Sequence, residues 1–139
     1  MKKIILVSVV ASLTFATAGL LEDAAKLNVK KVCDVKANGL DKVLDIAKKY
    51  NQEAIKLGVE FKRLGVKNRE YIKYASEAIK AKSKVTVIKY KSKGKDKTKK
   101  FDTEYATWRA CTFAIRGLQQ KVEAEKTWRM AVPGDGFKY

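Results

Sequence analysis

Between residues 40 and 64 the apolar positions Leu40, Val43, Ala47, Tyr50, Ala54, Leu57, Phe61 and Leu64 recur at spacings of three and four. That period lays them along one face of a helix. Asn38 stands where it can cap the start, and Gly65 where a helix would stop. Asp45 with Lys49, Glu53 with Lys56 and Glu60 with Arg63 add favourable charge pairs along the same run. The pattern predicts one helix over 40–64, roughly 37 Å long at 1.5 Å per residue. Its stripe suits the core face of an antiparallel bundle, and equally the seam of a coiled coil. The bundle is the commoner use in a chain of this size.

The same period returns twice. Asn68 can cap a helix on which Tyr71, Ile72, Ala75, Ala78 and Ile79 share a side, with Lys80 and Lys82 near its negative end. Asp102 or Thr103 can cap a last helix, reaching about residue 126, on which Trp108, Cys111, Ile115, Leu118 and Val122 form the expected buried stripe. Between these two helices the chain changes character. KVTVIKY, residues 84–90, is β-branched and aromatic, Gly94 and Asp96 are turn formers, and TKKFDT, 98–103, can return as a second strand. A β-hairpin from about 84 to 103 is therefore predicted. Upstream, Leu20, Leu21, Ala24, Ala25 and Leu27 suggest a short amphipathic helix, whereas Val29, Val32, Cys33 and Val35 show no clear period. The last residues, 131–139, contain the chain's one proline and two glycines and read as a non-helical tail.

The first residues change the picture of where the protein acts. In MKKIILVSVVASLTFATAGL, Lys2 and Lys3 precede an uncharged apolar run, and Ala16-Thr17-Ala18 supplies small residues before Gly19. This is the pattern of a Sec signal peptide, cleaved after residue 18, and the run is shorter than the ~20 residues of a spanning helix. The expectation is a periplasmic or secreted protein, residues 19–139, with no transmembrane segment in the mature chain. In such a compartment Cys33 and Cys111 are expected to form one intrachain disulfide. Closing that long loop can contribute on the order of 4.5 kcal/mol.

Charge and chemistry then narrow the function. The chain carries 31 Lys and Arg against 15 Asp and Glu, a net charge of +16 that loses two lysines with the leader. It has no histidine, which removes the usual general base near neutral pH and the commonest metal ligand. Ser76, Ser83 and Ser92 lie in no nucleophile-elbow setting. The close carboxylates Asp41 with Asp45, and Glu123 with Glu125, sit among lysines as salt-bridge partners would. Pro133-Gly134-Asp135-Gly136 lacks the spaced acids of a calcium loop. No catalytic set, cofactor or metal is expected.

What remains is KYKSKGKDKTKK, residues 89–100, with Lys89, Lys91, Lys93, Lys95, Lys97, Lys99 and Lys100 as anion-contact candidates beside Tyr90 and Phe101. Point charges with nearby rings suit a polyanion. With no arginine between 84 and 103, the run promises attraction without specificity. With a turn inside it, the lysines are expected to splay around a solvated hairpin tip. The fold expected is mainly α, a small single-domain bundle of three to four helices over 19–130 with one inserted hairpin. The function expected is a non-catalytic binding protein, its partner a lipid head group, a polysaccharide, a nucleic acid or an acidic protein. The alternative is a structural or chaperone-like helical protein acting as an oligomer.

Overall fold

The structure, a computed structural model, describes residues 15–63 and 65–127. The leader up to residue 14 and the tail 131–139 lie outside the described residues, as does Leu64. Among the described residues six helices and two small hairpins follow one another: α1 (Phe15–Lys26), α2 (Val29–Val32), α3 (Val35–Asn38), α4 (Leu40–Lys56), β1 (Lys62–Arg63), β2 (Val66–Lys67), α5 (Asn68–Lys80), β3 (Val85–Ser92), β4 (Lys95–Asp102) and α6 (Thr103–Thr127). The fold is mainly helical as expected. The helix count exceeds three to four because α2 and α3 are single turns on the stretch that showed no period.

The predicted helix over 40–64 ends at Lys56. Its stop is Gly58, which takes φ +70, while Val59 N–H reaches Ala54 O at 2.8 Å and Gly58 N–H reaches Ile55 O at 3.1 Å. Those two bonds satisfy the last carbonyls of α4 as only a left-handed residue after the cap allows. Beyond it the chain turns through the β1–β2 hairpin, with Gly65 at φ +85 in the turn rather than at a helix end. Phe61 keeps the helical spacing by coincidence: it lies in the irregular segment before β1 and stacks on Phe113 with ring centroids 4.0 Å apart. The expected pair Glu60–Arg63 is therefore absent, and Glu60 pairs with Arg69 instead.

The core lies between α4 and α6, flanked by α5 and α1. From α4 it takes Val43, Leu44, Ala47, Tyr50 and Ala54. From α6 it takes Thr103, Ala106, Thr107, Ala110, Cys111, Ala114, Ile115, Gly117 and Leu118. Most of the α6 residues are small, so the facing backbones approach closely. Trp108, expected on this stripe, is 41% exposed; alanines at 106, 110 and 114 take the buried positions instead. Cys33 and Cys111 do form the disulfide, both fully buried, with Cα atoms 5.7 Å apart across a sequence separation of 78. Gln119 also holds the N-terminal segment, its Nε2 donating at 3.0 Å to the carbonyls of Ala24 and Leu27 at the end of α1.

Neither asparagine expected to cap a helix does so. Asn38 is the last residue of α3, and its amide donates to Lys31 O at 2.8 Å and Asp34 O at 3.1 Å; Gly39 occupies the cap of α4. Asn68 turns inward, fully buried, and donates to Asn51 Oδ1 and Ala110 O, both at 2.9 Å. The start of α5 is capped by acids: Glu60 accepts from Arg69 N–H at 2.9 Å and Glu70 from Lys67 N–H at 2.7 Å. At α6 the expected capping holds, with Asp102 Oδ1 accepting from Glu104 N–H at 2.8 Å.

Candidate anion-binding surface

The β3–β4 hairpin is formed as the alternation of KVTVIKY predicts, with pairs running from Val85↔Asp102 to Ser92↔Lys95. Lys93 and Gly94, at φ 50 and 74, make a two-residue turn, the kind whose twist matches the strands. That turn has a consequence for the lysines. Directly paired residues share a face, and each odd-numbered residue of β3 is paired with an even-numbered one of β4. Lys89 and Lys91 therefore fall on one face with Lys100, Asp96 and Asp102, while Lys95, Lys97 and Lys99 fall on the other with Thr86, Ile88, Tyr90 and Phe101. The expected splay around a tip is replaced by two sorted rows, with Lys93 in the turn.

The second row lies on the core-facing side of the hairpin. Thr86 and Ile88 are fully buried there, Thr86 meeting Thr103 hydroxyl to hydroxyl at 3.1 Å, and Ile88 belonging to the hydrophobic core. Towards the turn this face emerges into solvent. Lys99 Nζ stands 5.4 Å from the centre of the Tyr90 ring, close enough for cation–π attraction. The β1–β2 turn closes on the same place, since a Cβ built at Gly65 would lie 3.4 Å from Lys91 O and 3.8 Å from the Tyr90 ring. Among the described residues none of the seven candidate lysines has a carboxylate within 4.0 Å; the ion pairs are Lys48–Asp45, Lys56–Glu53, Arg69–Glu60 and Lys121–Glu125.

Next to this row lies a group that the sequence left scattered. Arg109, from α6, points its guanidinium at four rings: Phe113 at 4.9 Å, Tyr71 at 5.5 Å, Tyr105 at 5.7 Å and Phe101 at 5.9 Å to the centroids. Its Nη1 donates to the Tyr105 hydroxyl at 2.8 Å, and its Nε is buried with no acceptor among the described residues. Burial raises the Tyr71 phenol above its ordinary value; the positive charges of Arg109 and Arg63 pull it down, and Tyr105 and Tyr90 push it up. Tyr105, Arg109 and Phe113 follow each other at four-residue spacing on α6, the one local signal that could have found this cluster. Tyr71 and Phe101 reach it only through the tertiary fold. The hairpin itself has no arginine between 84 and 103, and Arg109 reaches its Phe101 ring from α6.

A second recess, about 320 Å³, lies between α3 and the start of α6 and exposes Trp108 beside Tyr105. Its lysines, Lys30 and Lys36, are matched by Asp34 and Glu104, so it concentrates no single sign of charge. Among the described residues no three of Cys, Asp and Glu gather as metal ligands would, and no helix is long and apolar enough to cross a membrane. The disulfide is compatible with an oxidising compartment. No protein-family model, curated protein or solved structure matches this chain.

Proposed function

We propose that this is an exported, non-catalytic binding protein, released into the periplasm or secreted after loss of residues 1–18, whose basic hairpin contacts an anionic component of the cell envelope or an acidic protein. The observation that carries the reading is the row Lys95, Lys97 and Lys99 beside Tyr90 and Phe101, unpaired with any carboxylate among the described residues. Acids that neutralise lysines elsewhere in the chain are missing from this row, so its field is left for a partner. Rings beside the charges add a stacking or apolar contact that a merely solubilising surface would not need.

The test is a salt titration of binding to heparin, duplex DNA and vesicles of anionic lipid. Affinity that falls steeply and linearly on a log–log plot supports contacts to a polyanion. Absence of binding to all three at low salt would falsify the reading. The oligomeric, chaperone-like alternative drew on the stripe of residues 40–64, and much of that stripe is covered by α6 of the same chain. It predicts a mass above the monomer by light scattering.

A further inference from the structure

We infer that Arg109, in its box of Tyr71, Phe101, Tyr105 and Phe113, binds one phosphate group of the anionic partner, which makes it the oriented contact on an otherwise unspecific surface. The inference rests on the anion-binding reading above, and adds to it a site and a ligand chemistry. A guanidinium carries five donors in a fixed fork. Here only the Tyr105 hydroxyl accepts from it among the described residues, and no carboxylate lies within 4.0 Å. The chain shows what it does with an arginine it neutralises: Arg69 sends both Nε and Nη2 to Glu60. Arg109 has no such acid: its Nε is buried without an acceptor and its Nη1 is held by Tyr105, which leaves Nη2 without a partner among the described residues.

The rings explain why the fork is held ready. Arginine is weakly hydrated and stacks well on aromatic faces. Packed among four rings and fixed by one hydroxyl, Arg109 has lost much of the freedom that binding would otherwise have to remove. More than one positive charge acts at this place, since Arg63 and Arg109 both bear on the Tyr71 hydroxyl and Lys99 stands over the neighbouring Tyr90. Such an arrangement suits a phosphate monoester, with up to two negative charges, better than a singly charged carboxylate.

The experiment follows the arginine Nε–H resonances of the full, disulfide-bonded protein while inorganic phosphate is added, with acetate at matched ionic strength as the comparison. The expected result is a saturable shift at Arg109, with affinity weaker by a few-fold in Tyr105→Phe, which keeps every ring; in Arg109→Lys, which has no such resonance, the accompanying phosphate shift of the backbone amides of residues 105–113 is expected to weaken by about ten-fold or more. Circular dichroism and an intact disulfide show whether each variant is folded, and Tyr105→Phe carries the test should Arg109→Lys unfold. A shift that never saturates, or that acetate reproduces in full, overturns the inference in favour of ionic screening alone. Vesicles containing phosphatidic acid, set against inorganic phosphate, tell a lipid head group from a free phosphate as the source. Neutralising Lys95, Lys97 and Lys99 separates the two claims. Polyanion binding lost with the phosphate shift at Arg109 retained supports both, whereas polyanion binding retained without any phosphate shift at Arg109 removes this site and leaves the broader reading standing.

Discussion

A Cβ built on Gly117 would stand 2.8 Å from the carbonyl oxygen of Val59. The segment leaving α4 therefore rests directly on the middle of α6, and the only residue that fits beneath it has no side chain. In an exposed helix interior, glycine to alanine gains up to about 1 kcal/mol from helix propensity. Here the gain is opposed by a backbone atom that cannot swing aside. Gly117→Ala is expected to lower stability by about 1–3 kcal/mol, the range of overpacked cores, read as a lower urea midpoint at unchanged slope. A midpoint equal to or above the parent's would show that the contact yields easily.

Asn68 and Asn51 link three helices through one chain of hydrogen bonds. Asn68 donates to Asn51 Oδ1 and to the carbonyl of Ala110, and Asn51 in turn donates to Glu60 Oε1 at 3.2 Å. The two bonds from Asn68 sit where water does not reach, Asn68 being fully buried, while the Glu60 end is part-buried. Asn68→Ala would leave two buried acceptors without donors, at a cost of about 2–3 kcal/mol. Asn68→Asp should cost at least as much, because it replaces a donor with a third acceptor facing the other two. Equal stability of all three proteins in thermal melts would sink the network as a stabilising element.

The next prediction concerns Glu60. Burial raises its carboxyl, but the hydrogen bonds from Arg69 and Asn51 and the charge of Arg69 outweigh that and hold it below its ordinary value. A carboxyl depressed in the folded state binds its proton more readily when unfolded, so its stabilisation is complete above the unfolded value near 4.3 and is lost as pH falls through the folded one. Glu60→Gln cannot titrate. The stability difference between parent and Glu60→Gln should therefore be constant from neutral pH down to about pH 5 and shrink steadily in more acid solution. A difference that stays level down to pH 3 would mean that the hydrogen bonds, and not the charge, hold this corner.

These residues mark where the sequence was legible. Elements set by local signals came through: the hairpin from its alternation and turn formers, α5 from its stripe, the start of α6 from Asp102, the disulfide from two cysteines beside an apparent leader. The overrun of α4 has a definite cause. Phe61 and Leu64 continue the helical spacing past Gly58, and periodicity counts them without seeing that Phe61 finds Phe113 from outside any helix. Trp108 misled in the same way, because hydrophobic size suggests burial while close helix packing selects alanine and glycine. Arg109 was hidden for another reason. Two of its four rings come from α5 and β4, and no local pattern announces a contact across that separation.

The two rows of the hairpin allow a comparison in which net charge is held constant. Lys95, Lys97 and Lys99 share a face with Tyr90 and Phe101; Lys89, Lys91 and Lys100 share the opposite face with Asp96 and Asp102. Replacing either triplet by glutamine removes three positive charges from an exposed or half-exposed surface, and neither should alter folding. If attraction is diffuse, both variants lose the same affinity for duplex DNA. If the ring-bearing face is the contact, the 95/97/99 variant loses more, and its salt dependence flattens by about 2–3 units of log–log slope, roughly 0.9 for each phosphate contact removed. The 89/91/100 variant should keep most of its slope, since Asp96 and Asp102 already offset those lysines. Matched losses in the two triplets would reduce the lysine alternation to net charge, and a larger loss in 89/91/100 would put the contact on the wrong face.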